Sequence, residues 1–394
     1  MSESLVPRDE ADIEEAVRAA RAGRWSYGIV GGGSASGFGR PVETATVLST
    51  AGLTGITLHE PAELVISARG GTPLRAVETA LDVAGQRLAF EPMDMRPLLG
   101  TSGEPTIGAV AAANLSGPRR IQAGACRDSL IGLRLATGRG ETIRAGGRVM
   151  KNVTGLDLVK LAAGSHGTLG VLTEVTFKLV PKPETEATLS LLGLTDSEAI
   201  EVLGQALGSP FEVTGAAHLP KVDDASAVTC LRVEGFEASV KHRLDALSSL
   251  LKGRGSIERL DAPTSAALWR QVRDAMRLAE PAERAVWRIS TAPTNGPRLV
   301  AAVSGVVRDW FYDWGGGLVW LSSDGDGDAG AGAIRAALKP LGGHATLVRA
   351  PDDLRARVEV FEPLAAPLMA ITREMKLAFD PDGVFNRGRM YSGI

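Results

Sequence analysis

Three glycine-dense stretches hold the residues whose types and spacing best suit chemistry. The first is Gly31-Gly32-Gly33-Ser34-Ala35-Ser36-Gly37, entered from a short apolar run. Amides freed from side-chain bulk can turn inward together and cradle phosphate oxygens, with Ser34 and Ser36 as added donors. The loop is neither the GxGxxG dinucleotide fingerprint nor a Walker loop, since no GK[ST] follows, and a tight turn would read the same way. The second is Thr101-Ser102-Gly103, ahead of the small-residue helix IGAVAAAN (107–114), whose start suits an anion. The third, GSHGTLG (164–170), lies between a short apolar helix and a β-branched run from Val171 to Val180.

Groups able to move protons are scarce. Taking a proton from a hydroxyl while holding a carboxylate needs a base beside a cation. His344 sits in a glycine-bracketed segment and Arg349 follows on the same expected strand, so these two are the candidate catalytic residues. Their odd separation puts them on opposite faces of a straight strand. His218, His242 and His344 have no ligand neighbour at helical or turn spacing, so no metal site is expected. No GxSxG turn occurs, which argues against a serine hydrolase.

Composition narrows the classes. The 394 residues are 44% apolar and 23% charged with net charge -3, and aromatic residues never interleave with basic ones, so no nucleic acid partner is expected. Two cysteines, Cys126 and Cys230, suggest a reducing, cytoplasmic setting and cannot alone hold an iron–sulfur cluster. No apolar run is long enough to cross a bilayer, so direct insertion is not expected and any peripheral membrane contact would come through a partner.

The elements that must position these residues follow from periodicity. Residues 9–22 alternate acidic and apolar positions at helical spacing, and a short strand leads from Trp25 into the first loop. Thr154 to Asp157 reads as a capping box for a helix through Ala163. After Pro183 the pattern changes to alternating strands and helices, an α/β lobe containing five of the six tryptophans. A last helix, Leu364 to Phe379, stops at Asp380-Pro381, and the tail should pack back on the first part.

The runs VMKNVTGLDLVKLAAGSHGTLGVLTEVTFKLVPKP, ANLSGPRR and FDPDGVFNRGRM give the chain a resemblance to a known family. It is similar to the vanillyl-alcohol oxidase/p-cresol methylhydroxylase (PCMH-type) flavoproteins and, within them, to the E-subunit family of bacterial glycolate oxidases. The resemblance implies an α+β fold: a PCMH-type FAD-binding domain over 1–183, a reduced α/β cap over 184–356, and a C-terminal helix and tail over 357–394. It implies non-covalent FAD, because the first loop lacks the histidine through which some relatives attach the flavin. His166, in a position normally variable and surface-facing, is not expected to replace it.

Carried onto this sequence, Gly31, Gly32, Gly33, Ser34, Ala35, Ser36 and Gly37 would surround the pyrophosphate. Thr106, Ile107, Gly108, Ala111 and the Leu115-Ser116-Gly117 turn would continue the cofactor contacts, with Arg119 close by. Arg127 and Asp128 match the stretch passing the cofactor, and Gly167, Gly170, Val171 and Thr173 would line its adenosine side. The segment around His344 resembles the point where the cap returns toward the flavin. The family implies glycolate oxidation to glyoxylate in a complex with a D-type flavoprotein and an F-type iron–sulfur subunit, this chain carrying electrons or supporting the D subunit. The histidine-rich GDGNxH-type segment of hydroxy-acid-oxidising relatives is missing. A stand-alone FAD-dependent 2-hydroxy acid dehydrogenase and a subunit that lost its flavin remain the alternatives.

Overall fold

The computed structural model describes residues 3–42, 44, 46–147, 156–221 and 226–394. The amphipathic helix Glu10–Gly23 starts where Asp9 accepts the amide of Asp12 and ends on left-handed Arg24. It buries Ile13, Ala16, Val17 and Ala20 against a small parallel sheet. That sheet contains Glu3–Leu5 (β1), Tyr27–Val30 (β2) and Thr46–Ser49 (β3) in the order β1-β3-β2.

Next come Ile56–Glu60 (β4), Val65–Arg69 (β5), Gln86–Arg87 (β6), Leu130–Thr137 (β7), Thr142–Gly146 (β8), Gly170–Lys178 (β9) and Val180–Pro181 (β10). Five of them form an antiparallel sheet, β4-β5-β9-β7-β8, while β6 pairs with β10. The run through Val180 thus divides into two strands. Leu172, Val175 and Phe177 from β9 join Ile107, Val110 and Ala111 of the helix Ile107–Ala113 in one core. Gly108 permits that packing, since a Cβ there would stand 2.5 Å from the Gly70 carbonyl oxygen.

The second half is built on Thr185–Leu192 (β11), Gly215–Leu219 (β12), Val228–Gly235 (β13), Ser256–Leu260 (β14), Ala285–Ser290 (β15), Val307–Asp313 (β16), Leu318–Ser323 (β17) and His344–Arg349 (β18). These make one antiparallel sheet in the order β14-β11-β13-β12-β16-β17-β15-β18. The strand β12, GAAHL, escapes periodicity because its small residues are buried on both faces. Trp287 shows one covered face: its ring lies under Arg335 of the helix Ala331–Leu338, and its Nε1 donates to Ala329 O at 2.9 Å.

Two local expectations change. The helix beyond residue 156 is Leu158–Ala162, with Asp157 itself as the cap, accepting the Lys160 amide at 3.0 Å; Thr154 lies outside the described residues. The last helix begins at Ala366 rather than Leu364 and ends at Phe379. Its buried Lys376 donates from Nζ to Asp380 at 2.6 Å, Thr168 O at 2.6 Å and Phe385 O at 2.8 Å. Asp380 also accepts the amides of Val384 and Phe385, so the tail is fastened beside the GSHGTLG loop.

Candidate functional site

A cleft of about 770 Å³, including its solvent-facing mouth, opens between the first glycine loop, the helix Ile107–Ala113 and the GSHGTLG loop. That size is within the ordinary range for a ligand pocket. Gly31, Gly33, Ser34, Ala35 and Ser36 form one wall, after Ile29 and Val30 of β2. Gly108, Ala109, Ala112 and Ala113 form the second. Gly167, Gly170, Val171 and Leu172 form the third, and Phe38, Thr50, Asn386 and Arg389 complete it.

Local geometry explains how these walls meet. The GSHGTLG loop sits on the end of the small-residue helix, where Gly164 N and His166 N donate to the carbonyls of Ala111 and Ala112 at 3.2 and 2.9 Å. Gly167, at φ +72°, turns the chain back toward β9. Asn386 Nδ2 donates to His166 O at 2.7 Å, and Ile29 N donates to Asn386 Oδ1 at 2.8 Å. One tail asparagine therefore links the first strand to the third wall.

Several expected residues do other work. Gly32 and Gly103 allow two backbones to cross: a Cβ on Gly32 would lie 2.1 Å from Glu104 O, and one on Gly103 would lie 2.2 Å from Gly32 O. Gly37 belongs to the same loop but is not on the cleft wall. Ile107 and Ala111 are buried in the core. Leu115, Ser116 and Gly117 lie past the helix, where Ser116 Oγ accepts the Cys126 amide and Gly117 packs on Glu91. Arg127 and Asp128 are exposed and off the cleft; Asp128 accepts the Ala125 amide. Thr173 faces away, donating to Glu10 at 2.6 Å.

Arg119 is likewise off the cleft. It is buried and pairs with Glu234, which also accepts Arg87 at 2.6 Å; Arg232 grips Glu91 at 2.7 and 2.8 Å. Burial pushes Arg119 down to about 10. Burial opposes the charge on Glu234, yet Arg232, Arg119 and Arg87 outweigh it and hold that carboxyl at about 2. This is a seam between the first half and the eight-stranded sheet.

The reading of His166 as surface-facing is corrected. Its half-buried ring lines the cleft, 5.0 Å from Phe38 and 4.9 Å from Phe361 between ring centroids. Burial, with Arg389 adding repulsion, pushes its imidazole down to about 3, so it is neutral at pH 7. Arg389 itself bonds two carbonyls, Phe38 O and Arg40 O, at 3.4 and 3.2 Å. The sequence reading missed Arg389, Asn386, Phe38 and Ala112 as site residues; the only signal was the tail's expected return to the first half.

His344 and Arg349 do not form a catalytic pair. Arg349 is spent on structure: Nη1 donates to Leu98 O and Ala279 O, Nη2 to Pro281 O and Nε to Arg284 O, at 2.7–3.1 Å. His344 is exposed at the start of β18.

The cleft fits an elongated cofactor bearing phosphates. The buried Thr106 hydroxyl has no partner among the described residues and lies 2.4 Å from where a Gly31 Cβ would be. A model of an FAD binding domain matches residues 4–146. The chain is 37% identical to glycolate oxidase subunit GlcE of Escherichia coli K12 across 93% of each chain. The chain belongs to that family of FAD-dependent oxidoreductase subunits. Glycolate oxidase subunit GlcD of Bacillus subtilis is 26% identical over 73% of this chain and 68% of its own. Among solved structures, alkyldihydroxyacetonephosphate synthase overlays with a TM-score of 0.69, covering 97% of this chain and 76% of its own at 17% identity. That likeness shows the PCMH-type fold. Its cofactor is FAD. Among the described residues no helix is long and apolar enough to cross a membrane.

Proposed function

We propose that this chain holds one FAD, without a covalent bond, in the cleft between Gly31–Ser36, the helix Ile107–Ala113 and Gly167–Val171. We further propose that it works in a cytoplasmic glycolate-oxidising complex with a D-type flavoprotein and an F-type iron–sulfur subunit. The similarity to both GlcE and GlcD supports membership of a multi-subunit glycolate oxidase. In this reading the first half is the FAD-binding unit (1–183), the eight-stranded sheet the cap (184–356), and the tail (357–394) a clamp on the cofactor cleft.

The bound flavin supplies two-electron and one-electron transfer. The protein's own residues bind, orient and screen. The loop around Gly33 leaves room for phosphate oxygens, and the Thr106 hydroxyl, without a partner among the described residues, offers a donor. The methyl wall of Ala109, Ala112 and Ala113 leaves room for a flat ring and excludes water from one side. Arg389 brings positive charge where an electron-rich ring system gains most from it. His166, neutral and wedged between phenyl rings, packs rather than relays a proton.

The observation that favours electron relay over self-sufficient substrate oxidation is the fate of Arg349. Arg349, the cation that the sequence pairs with His344, is bonded to four carbonyls, so the expected base-and-cation pair is not formed. Acid precipitation of the purified yellow chain tests the cofactor assignment: all flavin should remain in the supernatant. Flavin retained in the pellet would overturn the non-covalent reading and point to His166.

A further inference from the structure

A second constellation lies on the eight-stranded sheet, on the face opposite Trp287. Trp314 is its platform. Its backbone is held at φ +51°, Asp313 Oδ1 accepts its amide at 2.7 Å, and its Nε1 donates to Gly117 O at 3.1 Å. The indole is therefore pinned at both ends, against the segment four residues beyond cleft-lining Ala113.

Two guanidinium groups rest on that ring. Arg120 Cζ lies 4.5 Å from its centroid and Arg288 Cζ 5.1 Å, so the two cations are within about 10 Å of each other. Such contacts each contribute about 0.5–2 kcal/mol, too little to justify bringing two like charges together in partial burial. Neither side chain has a hydrogen bond or ion pair to any described residue, unlike Arg119, Arg232 and Arg349 nearby. Burial and mutual repulsion push Arg288 down to about 10. The carboxylate close to it, Asp313, is committed to the Trp314 amide.

Sheet register adds a third member. Ser290 of β15 is paired with His344 of β18, and Arg288 with Thr346. Paired residues share a face, so His344 is diagonal to Arg288 on the same side. Exposed His344, half-buried Arg288 and the guanidinium of Arg120 thus share one region; Asp313, Asp128 and Glu362 are the neighbouring carboxylates, and among the described residues none forms an ion pair with either guanidinium.

We propose that Arg288 and Arg120, seated on Trp314 and flanked by His344, form a binding subsite for the carboxylate of a small hydroxy or oxo acid. A planar guanidinium fork matches a carboxylate, and a pinned aromatic ring fixes the fork's plane. His344, which shares that face with Thr346 and Ser290, offers an exposed polar group suited to a hydroxyl or carbonyl next to the carboxylate. The proposal takes the class of acid from the flavin-subunit reading but does not depend on a bound flavin.

Calorimetric titration of the full-length, FAD-loaded chain at constant ionic strength is the test, with glycolate, glyoxylate, uncharged glycolamide and sulfate as probes. Glycolate and glyoxylate should bind, glycolamide should not, and sulfate should bind at least tenfold more weakly. Arg288→Gln should weaken glycolate at least tenfold and Arg120→Gln severalfold, with exposed Arg144→Gln unchanged. Flavin content and melting temperature report whether each variant is folded; if Arg288→Gln is not, Arg288→Lys should give an intermediate loss. Equal binding of glycolamide or sulfate, an absence of binding, or full affinity in Arg288→Lys and Arg120→Gln would overturn the proposal. A chain that binds acid yet carries no FAD would instead sink the flavin reading and leave this one standing.

Discussion

The cleft proposed for the flavin and the charged seam use opposite means to bring distant segments together. In the cleft, side chains are removed: alanines and glycines let three backbones approach a common space. In the seam, side chains are added: Arg87, Arg119 and Arg232 meet Glu91 and Glu234 in an almost dry layer. The first arrangement can accept a ligand because it leaves room and unused donors. The second spends both of its carboxylates on its own three arginines. A small residue in this chain therefore marks a ligand only where its missing side chain faces the cleft rather than another backbone.

The sharpest way to break that contrast is to fill the cleft. Ala112→Phe puts a ring at a position that lines the cleft together with His166. It should abolish flavin binding while stability of the flavin-free chain changes by only about 0.5 kcal/mol. Unchanged flavin content would mean the cofactor lies elsewhere.

The seam should respond the other way. Glu234→Gln leaves Arg87, Arg119 and Arg232 with Glu91 as the seam's one carboxylate and should cost about 3–5 kcal/mol in urea unfolding, with full flavin in whatever remains folded. Because Glu234 titrates near 2 in the fold, below the usual carboxylate range, its contribution is complete at neutral pH. It is lost as pH falls through that range toward 2. The variant should lack this part of the acid limb. An identical acid profile would show that the seam is not charged as described.

Gly108→Ala comes next. Although Gly108 lines the cleft, its methyl would meet the Gly70 carbonyl, so the substitution should destabilise by about 1–3 kcal/mol. Smallest is His166→Leu. The native imidazole titrates near 3, well below its ordinary value, so the unfolded chain takes up a proton first as pH falls from about 6.5. The native protein therefore loses stability over that window, and the variant should lose less, measured as unfolding midpoints at pH 5 and pH 8. A variant with the native slope would place the titrating group elsewhere.

Much of the cleft was legible because close backbone approach leaves glycine in the sequence, and Gly31, Gly33, Gly108, Gly167 and Gly170 all lie on it. The signal is not specific to a ligand: at Gly108 and Gly170, which line the cleft, as at Gly32 and Gly103, which do not, the close partner is another backbone. Asn386 and Arg389 were illegible as site residues since their position depends on Lys376 and Asp380 fastening the tail. The failure of Arg349 follows from packing against Leu98 and Ala279, far away in sequence. Arg120 and Arg288 meet through a sheet register and a turn at Trp314 that no local pattern encodes.

The most direct test of the relay reading is anaerobic mixing of the isolated, FAD-loaded chain with glycolate while following the oxidised flavin band. The account predicts that the band persists, even if glycolate binds, and that it bleaches once the D-type and F-type partners are added. Rapid bleaching of the isolated chain, abolished by His344→Ala, would contradict it and make this chain a hydroxy acid dehydrogenase in its own right.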